Sequence, residues 1–281
     1  MSGADMSGTA TSGTGRVSSM IMGPLGGSLL PARTPRQAFR KMVQSEARLS
    51  RRQPIGPALG LGMPVVLLVI FGSLPAFHKH YPKLGGLTYF NIYLPILLAL
   101  VLAALGLWSL PTPLATYREQ GILRRLSTTP APPPWVLAAQ LVLNVGQAVV
   151  ALIVLVVVGI AAFGVEAPKS IIGLILMLLV SMAALFAIGL VIAAVSPTGQ
   201  AAGAIGSAVF FPMMFFAGLW VPRNEMPSAL RGVSDFTPLG AAVQGLQSSL
   251  FNGFPSVQPV LVLLAYAIVA AVLALRFFRW E

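Results

Sequence analysis

The residues of this chain with most chemistry to offer lie in one short run, Tyr117-Arg118-Glu119-Gln120-Gly121-Ile122-Leu123-Arg124-Arg125-Leu126-Ser127-Thr128-Thr129-Pro130. It is the only charged cluster in the middle of the sequence, with a long apolar stretch on either side. Read as a helix, it has Glu119 near its start, where a carboxylate suits exposed N–H groups. Arg124 and Arg125 then fall toward its end, where cations suit the free carbonyls. Ile122, Leu123 and Leu126 form a small apolar face ringed by charge. Such a helix has two uses: packing under its own bundle, or filling a partner's cleft.

Reaction chemistry is missing from the rest of the chain. All seven carboxylates (Asp5, Glu46, Glu119, Glu166, Glu225, Asp235 and Glu281) fall outside the apolar segments. Proton- or sodium-coupled carriers use an ionisable relay at membrane depth, and this sequence offers none. It also lacks paired carboxylates, His–Glu metal spacing or a Ser–His arrangement within its apolar segments, which argues against an intramembrane enzyme. His78 and His80 flank Lys79 in a loop and read as solvated side chains rather than metal ligands. None of the four lysines, Lys41, Lys79, Lys83 and Lys169, follows a glycine as a phosphate-cradling loop requires. Any ATP drive would come from a separate protein. With no cysteine, disulfides and thiolate metal sites are excluded.

The elements that position the cluster follow from composition. Hydrophobic residues make up 56% of 281 positions and charged residues 9%, too little charge to solvate a water-exposed surface. The fold class expected is an all-α membrane protein. Six segments have the roughly 20 apolar residues that a crossing needs. They lie at about 57–76, 91–110, 135–163, 170–195, 201–221 and 257–277, with Pro64, Pro95 and Pro212 inside spans as kinks. Residues 1–33 are rich in Ser, Gly and Thr and read as a disordered tail. The Met20–Leu30 stretch is broken by Gly23, Pro24, Gly26 and Gly27 and does not read as a signal peptide.

Six crossings put both termini on one side. With that side inside, inner segments carry thirteen lysines and arginines against five in the outer loops, which assigns the termini and the 117–130 cluster to the cytoplasm. The net charge of +11 is thus a matter of membrane orientation and does not point to nucleic acid.

Before the first span, residues 35–52 pattern as an amphipathic interfacial helix. Ala38, Phe39, Met42, Val43, Ala47 and Leu49 share one face, and Arg40, Lys41, Gln44, Arg48, Arg51 and Arg52 the other. Glu46 falls on the apolar face. It either reaches sideways to water or is a buried partner for another cytoplasmic element.

The run from Tyr117 to Pro130, with Pro134-Trp135 opening the next span, resembles the connection between the second and third spans of ABC type-2 exporter permeases. Gly218-Leu219-Trp220-Val221-Pro222 with Met226-Pro227, and then Asp235-Phe236-Thr237-Pro238-Leu239, look like the family's pattern after the fifth span. The resemblance covers roughly residues 34–281.

The resemblance implies a cytoplasmic coupling helix against an ABC ATP-binding subunit, through Tyr117, Arg118, Glu119, Gly121, Ile122, Leu123, Arg124, Arg125 and Leu126. ATP and magnesium would sit in that subunit, with no cofactor on this chain. It implies a second permease copy or relative, and Glu46 pairing with Arg124, Arg125 or the partner. It also implies short re-entrant helices between spans five and six, and a substrate path along spans two and five, offering Trp108, Phe210, Phe211, Met214 and Phe215. Those aromatic and thioether groups suit hydrophobic or amphipathic drug or lipid cargo; polysaccharide or glycolipid export shares the scaffold. The place expected is a bacterial cytoplasmic membrane. Readings from other classes are a secondary transporter and a non-transporting membrane scaffold.

Overall fold

A computed structural model describes residues 35–52, 55–79, 88–122, 125, 134–165 and 167–277. The expected tail over 1–33 lies outside them, as do Leu123, Arg124 and Leu126. Every element among the described residues is helical: α1 (Pro35–Arg52), α2 (Ile55–Ser73), α3 (Tyr89–Ala104), α4 (Pro111–Glu119), α5 (Pro134–Phe163), α6 (Ile171–Val195), α7 (Gly199–Phe216), α8 (Ser228–Phe236), α9 (Pro238–Gln247) and α10 (Val257–Phe277), with short 3-10 and π turns between them.

Among the described residues, five helices are long and apolar enough to cross a membrane: Tyr89–Glu119, then α5, α6, α7 and α10. The segment expected as the first crossing forms α2, of which Gly62–Ser73 is the shorter apolar helix. Tyr89–Glu119 contributes the heart of the core, with Leu97, Leu98, Val101, Leu102, Leu105 and Leu107 fully buried. α6 and α10 pack along one another on one flank, while α5 lies against α2, α3 and α1.

The helix that carries the expected second span does not stop near residue 110, where Pro111 and Pro113 suggest an end. It runs on for 31 residues, α3 passing through a π turn at Leu105–Ser109 into α4. At 1.5 Å per residue that is about 46 Å, more than a hydrocarbon core of ~30 Å, so its last turns stand clear of the apolar layer. The π turn is what admits the prolines. Leu110 N donates to Leu105 O at 3.0 Å, so Gly106 O loses its usual donor; Leu107 O has none because residue 111 is proline. Each released carbonyl is met by a glycine of another span. A Cβ on Gly189 of α6 would lie 1.9 Å from Gly106 O, and one on Gly206 of α7 would lie 2.2 Å from Leu107 O. Close approach through small residues is how apolar helices associate without a hydrophobic gradient.

Beyond α7 the chain folds into α8, α9 and a second π turn, Ser248–Asn252, before α10 begins. Leu239, Ala241, Ala242, Leu246 and Leu250 bury this excursion against α3, α6 and α10.

Candidate functional site

The last turn of α4 carries Tyr117, Arg118 and Glu119, and each side chain ends on a different element. Tyr117 turns toward α1, where its hydroxyl donates to Glu46 Oε2 at 2.7 Å. Gln140 Nε2 of α5 donates to the same oxygen at 2.6 Å. Glu46 is only 7% exposed, so of its two sequence readings the buried one holds. The basic residues Arg40, Lys41 and Arg48 are exposed, and Phe39 stands edge-on to Trp135 of α5 with ring centroids 6.0 Å apart.

Burial raises the Glu46 carboxyl above its ordinary range, because a charge removed from water is penalised. The hydrogen bonds from Tyr117 and Gln140 favour the carboxylate and offset that only in part. The partners found for Glu46 are thus neutral groups. Of the arginines expected there, Arg124 lies outside the described residues and Arg125 has an exposed side chain.

Arg118 and Glu119 turn the other way, to the short connection between α6 and α7. Arg118 Nη1 donates to Ala194 O at 2.9 Å and Nη2 donates to Ser196 O. These carbonyls belong to the C-terminal end of α6, where a cation is favoured. Glu119 Oε2 accepts from Gly199 N at 3.0 Å, the first N–H of α7. Thr198 caps the same helix by accepting from Ala201 N at 3.1 Å. The turn therefore has one charge on each pole.

This placement changes the sequence reading of the run. Glu119 ends a long helix instead of opening a short one. The cause is Gly121, whose φ of +65° lies in the left-handed region that glycine adopts without strain. A carboxylate at its own helix's C-terminus is unfavourable, and the N-terminus of α7 supplies the missing complement. After Gly121 the backbone turns helical again, with Arg125 N donating to Gly121 O at 3.1 Å. Ile122 is half-buried there.

The residues expected along a substrate path divide into two groups. Phe210 and Met214 are 0% and 1% exposed and pack inside this chain. Phe211 is exposed, and Trp108 and Phe215 are half-buried. Trp108 sits in the π turn, donates from Nε1 to Ser207 Oγ at 3.1 Å and lies 4.3 Å from the Phe210 ring. The residues that sequence reasoning missed are Gln140, Ser196 and Gly199. Gln140 had a signal, since Gln140, Asn144 and Gln147 recur at helical spacing on an apolar span. Ser196 and Gly199 act through backbone atoms, which no side-chain pattern announces.

Bundled apolar spans with a polar knot at one end define a multi-pass integral membrane protein. The family described as ABC-2 type transporter matches residues 37–251, and the chain belongs to it. It is a membrane permease of that type; such permeases generally pair with ATP-binding subunits and are normally non-catalytic. A search of curated proteins gave no match.

Proposed function

We propose that this chain is the membrane half of an ATP-driven exporter and that the segment from Tyr117 to Leu126 receives force from a separate ATP-binding subunit. In this reading ATP and magnesium stay on that subunit. The permease makes six crossings with α2 as the first, sets its termini on the cytoplasmic side of a bacterial membrane, and acts with a second permease. Cargo is hydrophobic or amphipathic, a drug or lipid, and passes along the faces that carry Trp108, Phe211 and Phe215.

One observation carries the reading: three consecutive side chains, 117 to 119, tie the segment to α1, α6 and α7, and through Glu46 to α5. A surface loop has no need of such attachment, whereas a force input does. In this reading the residues beyond Gly121 meet the partner.

Co-purification tests this. The tagged chain should retain a nucleotide-binding protein, and Arg124→Glu should cut the ATPase activity of that complex severalfold while the isolated permease keeps its Tm. Recovery of well-folded chain without any ATPase would overturn the reading.

A further inference from the structure

We propose that Arg118 and Glu119 are positioning residues that clamp the 117–122 segment to the α6–α7 turn, so that the segment and α7 move as one body. The inference rests on the reading of the segment as the force input.

The geometry favours α7 as the driven element. Arg118 holds the carbonyl pole of the turn and Glu119 the N–H pole, so the turn is gripped from both sides. Nothing separates α4 from α7 there, since a Cβ on Gly199 would fall 2.0 Å from Thr116 Oγ1. The π turn that leads into α4 stays in contact with α7 further along, through Gly206 against Leu107 O and Trp108 against Ser207 and Phe210. A push on the segment therefore reaches α7 through rigid contacts over several turns, and α7 presents the exposed Phe211. The link to α1 is of another kind. It passes from Tyr117 to a single oxygen, Glu46 Oε2, which Gln140 of α5 shares.

The chain has no cysteine, so introduced pairs label cleanly. Ile122→Cys and Gln200→Cys, nitroxide-labelled and spin-diluted with unlabelled permease in lipid nanodiscs, report the distance across the clamp. The permease alone should give one narrow distance, broadened by Arg118→Ala with Glu119→Ala. Glu119→Gln should keep it narrow, because its amide oxygen still accepts from Gly199 N, and Arg118→Lys should keep most of it. Should the double variant not fold, Glu119→Ala alone is expected to broaden the distance in part. In complex with the vanadate-trapped ATP-binding subunit, the parent distance should match the nucleotide-free one, while the double variant should shift. A narrow distance in the alanine variants, or a parent distance that changes by several ångströms on trapping, overturns the clamp. The first arm needs no partner, so failure of the clamp and failure of the force-input reading are read separately.

Discussion

The two ends of the bundle use charge in opposite ways. At the Tyr117–Glu119 end, side-chain bonds join residues 71 to 94 positions apart and tie five helices together. At the α8–α9 end, Arg223 pairs with Asp235 and donates to Gly240 O at 3.1 Å, while Ser234 Oγ donates to Phe216 O at 2.6 Å; these partners are 12 to 18 positions apart. Longer reaches at that end run from Tyr89 to Glu225 at 3.3 Å and, through the backbone, from Lys169 N to Leu250 O and from Ser170 N to Ser249 O, each at 3.1 Å. One end is a junction between spans. The other is a cap whose charged side chains pair locally and which is attached by apolar burial and by backbone bonds from Lys169 and Ser170. A displacement at the junction is therefore shared by several helices, whereas one at the Arg223–Asp235 pair bears on α8 and the start of α9.

Removing the shared acceptor should produce the largest effect. Glu46→Ala strands two donors, buried Gln140 and half-buried Tyr117, at about 1–3 kcal/mol for a buried donor, so Tm should fall by several degrees and hydrogen exchange should rise in α1, α4 and α5 together. Glu46→Gln should keep the fold, since it retains an acceptor and removes the charge that burial penalises. A fall confined to α1 would break the contrast between junction and cap.

In the cap, Asp235→Ala leaves Arg223 half-buried without its carboxylate, at a cost of about 1–3 kcal/mol. Its exchange signature should stay within 217–247. Arg223→Met with Asp235→Leu should recover most of that loss, because a buried pair adds little beyond an apolar replacement. Spread of the exchange into α1 or α5 would show that the two ends are not distinct.

Thr198→Ala removes the cap of α7 and should cost about 1 kcal/mol. The loss should grow when combined with Glu119→Ala, because both serve the same helix terminus; simple additivity in a thermal-shift cycle would argue against a shared site.

The smallest effect is in pH. Glu46 titrates higher in the folded chain than its ordinary value of 4.5, so its contribution is fully present below that value and is lost as pH rises through the raised folded one. Tm of the parent should therefore drop relative to Glu46→Gln from about pH 4.5 upward. Parallel Tm curves would show that Glu46 is not buried in solution.

Much of this was open to inspection in the sequence. Apolar runs longer than a bilayer core leave only helices as a way to satisfy the backbone, so the all-helical bundle followed from composition. The charged run at 117–125 stood out because nothing near it was charged, and Glu46 because it interrupted an apolar face. What did not show was direction. The 100° periodicity of α1 places Glu46 on a face but does not say that Tyr117, 71 positions on, will donate to it. Pro111 reads as a helix end because its ring removes an i→i−4 bond. Only the π turn before it, with Gly189 and Gly206 set against the released carbonyls, turns that break into a continuous span.

The sequence by itself determined that this is a membrane-embedded helical chain of the permease type, with its charge gathered at the ends of its spans. Those properties depend on the solvent each residue prefers, and solvent preference is a property of single side chains and their local period. The tertiary structure alone decided that Arg118 and Glu119 grip the poles of the α6–α7 turn and that Tyr117 meets Glu46. Those contacts are made to backbone groups and to one shared oxygen, tens of residues away. Their partners exist only once the helix ends have been brought together.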